Sequence, residues 1–379
     1  MFKGVFSDIV IKKDGFLRGP FGSALKKSIF VPKSDDTYKV YEQSVVLEKN
    51  KELGNYHISK EYFENSLSNF EVKSGDFLVS CSGVNYGEIY ELEGEIEKGV
   101  INQALLRIRI NEEFVDRNFF LYYFRAYIVK AITGGTGDST IPNFPPMSVV
   151  KNVPVELPDL EQQRKIGKIL KQIDKKIENN NKINNSLEDL AYTIFLHAFA
   201  NKTANGAIGD ILIENEKSKV KVGNAKDIKG EYPFFTSGES ILEWNDYLVD
   251  GRNLFLNTGG NADVKFYVGK ATYSTDTWCI TSKNEMSDYL FLYLKSIKNE
   301  LDRKFFHGSG LKHLQKPLFK QEKIYVPNQE ELKIFNDKVQ NMFELISANK
   351  IENKKLNSLK EYLLPLLMNG QINVDDIEI

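Results

Sequence analysis

One pattern, repeated once, constrains this chain more than anything else in it. From Pro158 the sequence PDLEQQRKIGKILKQIDKKIENNNKINNSLEDLAYTIFLHAF places apolar or small residues at Ile166, Leu170, Ile173, Ile177, Leu187, Ala191 and Ile194. The steps alternate four and three, the heptad seam of paired long helices. Counting through the gap puts Asn180 and Asn184 on the same seam. Adding 169 to each number carries Pro158 to Pro327 and the seam to Phe335, Val339, Met342, Ile346, Asn349, Asn353 and Leu356. The register survives without an insertion, polar positions included.

Asn179, Asn180 and Asn181 are poor helix formers that compete for backbone hydrogen bonds. On a seam, buried asparagine costs stability and fixes register and partner choice. Two helices with polar layers at matching midpoints would pair antiparallel, because there the midpoints meet. Each helix, at about 40 residues, would span roughly 60 Å. The alternative is that the asparagines break the pattern into shorter helices. Pro365 should end or kink the second helix early.

The helices divide the chain into two halves of mixed strand and turn signals. SDIVIKKD (7–14) matches GDILIENE (209–216), aligning Asp8 with Asp210. SGDFLVSCSG (74–83) resembles GRNLFLNTGG (251–260), each a short apolar strand pattern ending in small polar residues and glycine. INQALLRIRI (101–110) resembles STDTWCITS (274–282). FFLYYFRAYIVKAI (119–132) resembles YLFLYLKSIKNEL (289–301), both helical in pattern. Each half then has a glycine-rich loop, TGGTGDSTIPN or FFHGSGLKH. The first half is the longer: 150 residues separate Asp8 from Pro158, and 117 separate Asp210 from Pro327.

Bulk properties exclude several classes. With 379 residues, 41% of them hydrophobic, the chain can build two or three cored domains. No apolar run approaches the roughly 18 residues of a membrane helix. The start, MFKGVFSDIVIKKDG, lacks a signal-peptide layout, so a cytoplasmic location is expected. Cys81 and Cys279 read as buried, reduced thiols. The four histidines show no zinc-ligand spacing, and no metal site is expected. A net charge of −2 argues against electrostatic binding by the whole surface but not by a local basic face.

These blocks carry a family resemblance. LPDLEQQRKIGKILKQIDKKIE followed by NNKINNSLEDLA strongly resembles the first conserved region of type I restriction-modification specificity (HsdS) subunits. VPNQEELKIFNDKV and LNSLKEYLLPLLMNGQI resemble the second. RGPFGSALKK (18–27) and NQALLRIRI look like one type of their target recognition domain; YPFFTSGE (232–239), NTGGNADVKFY (257–267) and YSTDTW (273–278) look like another. The second copy departs from the usual pattern in its PNQEELK opening and in Lys360, which takes the seam place of Ala191. The likeness spans essentially the whole chain.

The resemblance implies an α+β architecture: two α/β target recognition domains separated by two long conserved helices that form an antiparallel coiled coil, with a pseudo-twofold internal repeat. The segments would be recognition domain 1 (1–157), spacer helix 1 (158–200), recognition domain 2 (201–326), spacer helix 2 (327–370) and a tail (371–379). It also implies double-stranded DNA as ligand, each domain reading half of a split, asymmetric target. The chain itself would be non-catalytic, with no cofactor of its own. Two methyltransferase (M) subunits and restriction (R) subunits are the implied partners, and S-adenosylmethionine, ATP and magnesium would belong to them.

Sequence-specific DNA reading needs phosphate contacts for register and base-edge contacts for identity. The first half offers Arg18, Lys26 and Lys27 around a GPFG turn, and Ser82, Asn85 and Tyr86 after a strand. The second offers Lys217, Lys219, Lys221, Ser237, Asn257, Asn261, Lys312 and His313. Each of these is equally readable as a solvated charge or an ordinary turn residue. Trp244 and Trp278 read as core aromatics before base-stacking ones.

Enzymatic readings find little support. NFPPM (143–147) looks superficially like a methyltransferase loop, but Phe144 interrupts it and Met147 replaces the stacking aromatic. It reads as a loop before a strand. NTGGN lacks the Gly-Lys-Ser/Thr of a phosphate loop, and GTGDST has no assignable histidine and acid partners. No catalytic residue is assigned. The rival functions are a stand-alone DNA-binding regulator, which the net charge disfavours, and a non-catalytic coiled-coil scaffold.

Overall fold

The computed structural model describes residues 1–83, 85–133, 144–308 and 310–374. The chain packs as two units, one formed by Met1–Lys175 with the chain from Asn357 onward, the other by Lys176–Leu356. The divide falls inside both long helices, so each unit owns part of each.

The strands of the first unit are β1 (Phe2–Val5), β2 (Phe16–Arg18), β3 (Thr37–Tyr41), β4 (His57–Ser59), β5 (Phe77–Ser80), β6 (Ile89–Glu91), β7 (Gly99–Ile101), β8 (Leu105–Ile108) and β9 (Pro154–Leu157). They form a four-stranded antiparallel sheet in the order β2-β8-β5-β6, a three-stranded sheet β4-β3-β7 and the pair β1-β9. Within the three-stranded sheet, β3 is antiparallel to β4 and parallel to β7.

The strands of the second unit are β10 (Gly206–Ala207), β11 (Leu212–Glu214), β12 (Tyr232–Phe235), β13 (Ile241–Trp244), β14 (Arg252–Asn257), β15 (Val264–Val268), β16 (Thr272–Tyr273), β17 (Thr277–Ser282), β18 (Phe306–His307), β19 (His313–Leu314) and β20 (Lys323–Ile324). The connectivity repeats: β11-β17-β14-β15, then β13-β12-β16 with β12 antiparallel to β13 and parallel to β16, then β10-β20. A hairpin, β18-β19, occupies the stretch read as the second glycine-rich loop. Its counterpart in the first unit, TGGTGDSTIPN with GTGDST inside it, and Asn143 of NFPPM fall outside the described residues apart from Thr133. The rest of NFPPM leads into a short helix, Met147–Lys151, before β9.

The Asp8–Asp210 match has a physical cause. Both carboxylates turn back to cap the chain three residues upstream. Asp8 Oδ2 accepts from the Val5 amide and Asp210 Oδ2 from the Ala207 amide, each at 2.8 Å. Both follow the first strand of their unit.

Each long helix is an unbroken run of 40 residues, Leu160–Phe199 and Gln329–Met368. The reading in which the asparagines break the first helix does not hold. Their starts are capped alike: Asp159 Oδ1 accepts from the Gln162 amide at 3.0 Å, and Asn328 Oδ1 from the Glu331 amide at 2.9 Å. Glu331 returns the bond to the Asn328 amide at 3.1 Å, completing a capping box. The changed opening of the second copy thus keeps its function. Pro365 does not end the second helix, which runs three residues further. The hydrogen bond that a proline forfeits and the crowding of its ring against the carbonyl four residues back fall here in the last turn, with three residues left to follow. The stop comes at Gly370, whose φ of 66° suits the left-handed position that closes helices.

Of the sixteen seam residues, Ile177, Leu187, Ile194, Met342 and Leu356 are half-buried and the other eleven are buried. Within the second unit the helices run antiparallel. Asn180 Nδ2 donates to Asn353 Oδ1 at 2.9 Å, and Asn349 Nδ2 to Asn184 Oδ1 at 2.8 Å. Asn353 in turn donates to Asn181 Oδ1 at 2.9 Å, and Asn180 also reaches Glu352 at 2.7 Å. Beyond this layer the seam opens onto the unit's core, where Phe335, Val339 and Ile346 join Leu254, Leu256 and Ile280 of the sheet in one buried cluster. Phe266 of β15, Phe291 of helix Ser287–Ser296 and Phe343 of the second long helix bring their rings within 5.0–5.6 Å of one another.

In the first unit the first long helix docks through Gly167, where a Cβ would lie 2.6 Å from the Phe119 amide nitrogen. Gln163 fixes that contact, accepting from the Asp116 amide at 2.8 Å. Lys360, in the seam place of Ala191, pairs with Asp174, which also accepts from the Tyr122 hydroxyl at 2.8 Å. Burial first, and the Asp174 charge second, push the Tyr122 phenol up.

Candidate nucleic-acid interface

Most of the sequence candidates lie at the same end of the four-stranded sheet in each unit; Lys26 and Lys27 follow on short turns whose apolar residues pack on the core of the three-stranded sheet. In the first unit, this end is where β2 and β5 finish and where β6 and β8 begin. Arg18 closes β2 opposite Leu106, and Ser80 closes β5 opposite Leu105. Past Arg18 the chain turns hard over the neighbouring loop. Gly19 donates its amide to the Leu105 carbonyl at 2.9 Å, and a Cβ on Gly19 would sit 1.8 Å from the Asn102 carbonyl oxygen. A Cβ on Gly22 would meet Gln103 Oε1 at 2.7 Å. Only glycine fits that first close approach.

Arg18 is half-buried, with its guanidinium carbon 6.0 Å from the centroid of the Phe144 ring. Phe144 is held by its amide donating to the Cys81 carbonyl at 3.3 Å. The loop from β5 to β6 carries Ser82, Asn85 and Tyr86. Gln43 braces its base, donating to the Ser80 hydroxyl at 2.7 Å and to the Ser82 carbonyl at 2.6 Å. Asn85 is exposed, Tyr86 half-buried, and Lys26 and Lys27 stand exposed on two short turns beyond Gly22.

In the second unit the same end joins four loops. Its hub is the Asp276 carbonyl, which accepts from the hydroxyl of Ser237 and, at 2.8 Å, from that of Thr258. Gly260 donates its amide to the Lys312 carbonyl at 3.0 Å. Thr275 donates to the Val220 carbonyl at 2.9 Å, bringing Lys219 and Lys221 alongside. Thus Lys219, Lys221, Ser237, Asn257, Asn261, Lys312 and His313 are brought together, with Lys217 one turn of chain away.

They are not equally free to meet a ligand. Asn257 is buried and uses both ends of its amide within its own loop. Its oxygen accepts from the Asp263 amide at 2.7 Å, and its nitrogen donates to the carbonyls of Gly259, at 3.2 Å, and of Asn261. Its place is in shaping the loop that presents Asn261. Lys312 pairs with Asp302, and that hydrogen bond holds the Asp302 carboxyl below the ordinary range. Among the described residues, Lys26, Lys27, Lys217, Lys219 and Lys221 are exposed and have no ion-pair partner. Ser237 is half-buried; Asn261 and His313 are exposed.

Sequence reasoning missed the supports. Gln43 braces its loop from outside every block quoted above; Thr258 and the Asp276 carbonyl lie inside NTGGNADVKFY and YSTDTW, but nothing in those residue types marks them as loop ties. The steric demand at Gly19 was the one signal available, since GPFG announces a tight turn.

Among the described residues no group of three or more His, Cys, Asp or Glu could hold a metal ion. Cys81 and Cys279 are free and buried, and burial pushes both thiols up to about 12. Trp278 is buried and donates to Glu214 at 2.8 Å; Trp244 is half-buried in β13. No helix among the described residues is long and apolar enough to cross a membrane.

The long helices carry the other notable surface. Leu190, Ile334, Leu345, Leu359 and Tyr362 are exposed along them. Two clefts lie at helix ends that correspond under the 169-residue shift. In the first unit one includes Gln162, Ile166, Leu367 and Met368; in the second the other includes Ala198, Phe199, Glu331 and Phe335.

The family model for the type I restriction modification DNA specificity domain matches residues 21–189 and again 202–361. The chain is 24% identical over 396 aligned residues to the type I restriction enzyme MjaVIII specificity subunit of Methanocaldococcus jannaschii, covering 86% of this chain and 89% of that one. It is 21% identical to the HindI specificity subunit of Haemophilus influenzae, covering 79% and 87%. The crystal structure of the type I restriction-modification S subunit from M. genitalium superposes with a TM-score of 0.60 at 15% identity, covering 97% of this chain and 96% of that one. That last likeness concerns the fold.

Proposed function

This chain belongs to the family of type I restriction-modification DNA specificity domains and is a non-catalytic specificity subunit; from that premise we propose that each unit reads one half of a bipartite, non-palindromic DNA target. One observation carries the reading. The same sheet end, in two copies of one connectivity, presents cations with hydroxyl and amide groups on braced loops, Arg18 in the first unit and Lys219, Lys221 and Lys312 in the second. Cations bind phosphate and set position, while side-chain amides and hydroxyls read base edges. The two loop sets differ in sequence and length, which supports unlike half-sites. Arg18, Lys26, Lys27, Asn85 and Tyr86 are the candidates in the first unit, and Lys217, Lys219, Lys221, Ser237, Asn261, Lys312 and His313 in the second.

The helices are the proposed docking site for two methyltransferase subunits, which restriction subunits join for cleavage. The exposed apolar residues along the helices and the corresponding clefts at their ends support one partner at each. S-adenosylmethionine, ATP and magnesium serve those partners in this reading, and the complex works in the cytoplasm. A net charge of −2 suits a subunit that shares its DNA with basic partners better than a lone repressor.

The test is a methylome. The chain is co-expressed with the methyltransferase encoded beside it in an unmethylated host, and the DNA is sequenced for N6-methyladenine. A split, asymmetric motif that vanishes without this chain is the expected result; ordinary expression with no methylation would overturn it. Exchanging residues 201–326 for another recognition domain should then alter one half-site alone.

A further inference from the structure

We propose that Phe21 is a wedge, its ring entering the base stack of the half-site read by the first unit while Arg18, Lys26 and Lys27 hold the phosphates beside it. The inference rests on the DNA-reading function above and names the residue that distorts the DNA.

The side chain of Phe21 is out of place by any structural account of the unit. The residue is 83% exposed in a chain whose other phenylalanines lie mostly in the cores. Its mounting, by contrast, is stiff. Pro20 before it is buried and fixes its own φ. The Ala24 amide closes the turn behind it on the Phe21 carbonyl at 2.8 Å. Gly19 presses that turn onto the Asn102 backbone with no room for a side chain. An aromatic side chain has only two torsions, so on a fixed backbone it loses little freedom when it is buried in a partner.

The surroundings say which partner. Gly22, Ser23, Lys26, Lys27 and Ser28 around the tip are all exposed and polar or lack a side chain. A protein interface wants a contiguous apolar patch, and the exposed described residues flanking Phe21 in the chain form none. A lone exposed aromatic flanked in the chain by Arg18, Lys26 and Lys27 suits a polyanion with flat apolar faces between its charges. Stacked bases between phosphates are that surface, and apolar wedges of this kind kink duplexes by unstacking one step. Pyrimidine–purine steps yield most easily, so the half-site should contain one at the wedge. The second unit lacks the device. Its corresponding stretch, Asn215 to Lys221, has three lysines and no aromatic residue.

The test uses the full chain in complex with its methyltransferase and duplexes carrying 2-aminopurine at each unmethylated position of the target. The wild-type complex should light one position within the first unit's half-site. F21A should extinguish that signal and weaken binding by roughly 10- to 100-fold. F21W should restore both, and assembly with the methyltransferase should be unchanged throughout. Signal and affinity that survive in F21A would overturn the wedge, and so would failure of F21A to assemble, which would put the ring at a protein interface. If the wild-type complex shows no sequence-specific binding, the DNA-reading function itself falls, an outcome separable from the other two.

Discussion

The side-chain amide of Asn180 donates to Oδ1 of Asn353 at 2.9 Å, and a shift of 169 residues converts that bond into Asn349 donating to Asn184 at 2.8 Å. Donor maps to donor and acceptor to acceptor. The layer is self-complementary, and any slip of one helix along the other strands four buried amides.

Asn353→Leu should therefore cost about 1–3 kcal/mol, because it leaves the buried Asn180 amide with Glu352 as its one remaining acceptor and removes the bond to Asn181. Asn180→Leu together with Asn353→Leu should recover most of that loss, with a coupling of order 1 kcal/mol. Urea unfolding of the intact chain, followed on the helix transition, measures both. A double mutant as unstable as the sum of the singles would show that the layer is not coupled.

At Gly19 the prediction concerns geometry. An alanine Cβ would sit 1.8 Å from the Asn102 carbonyl, so the turn carrying Arg18 and Phe21 must move. A displacement of that kind costs on the order of 100-fold in a positioned site. Gly19→Ala should lower methylation at the target by that order while the complex still assembles. Gly223→Ala is the control, since nothing lies within 4 Å of its Cβ position. Equal rates for the two variants would sink the argument.

Lys219 and Lys221 have no ion-pair partner among the described residues, so they should act on phosphate alone. Replacing both by alanine should weaken binding alike for cognate and unrelated DNA. The slope of log K against log salt should fall by about 2. Lys312→Ala should change it less, because Asp302 already holds that ammonium. Anisotropy titrations of the complex across a salt series decide this, and an unchanged slope would remove the lysines from the contact set.

Glu331 ties acid stability to the start of the second long helix. Its hydrogen bond from Lys202 at 2.8 Å, then that from the Tyr325 hydroxyl at 2.6 Å, hold its carboxyl at about 2, below the unfolded value of 4.5. A carboxylate depressed in the fold stabilises it above the unfolded value, and that contribution is lost as pH falls from about 4.5 toward 2. Melting curves of wild type and Glu331→Gln should thus differ at pH 6 and converge through that window. A gap that stays constant would mean that charge on Glu331 is not what stabilises the cap.

Much of this was legible in the sequence because it is periodic. A heptad seam is visible wherever apolar residues recur, and the polar interruptions at Asn180 and Asn184 stood out against it. The capping aspartates at 8 and 210 were legible for a similar reason: their role is local, reaching three residues back. The site was less so. That Asn257 turns inward while Asn261 faces out depends on loop closure, which residue type does not encode. Pro365 does not shorten the second helix because a proline's effect depends on how many turns remain after it, and here few do. The Asp276 carbonyl, around which the second unit's loops gather, is a backbone group and leaves no trace in residue identity.

The repeated seam also bears on how such a chain changes over generations. A crossover between the coding stretches for Leu160–Phe199 and Gln329–Met368, at any matching pair of positions, yields a helix that still carries two asparagines four residues apart. That helix still meets its partner amide for amide. A new reading head can thus arrive by recombination onto a frame that needs no accommodating mutation.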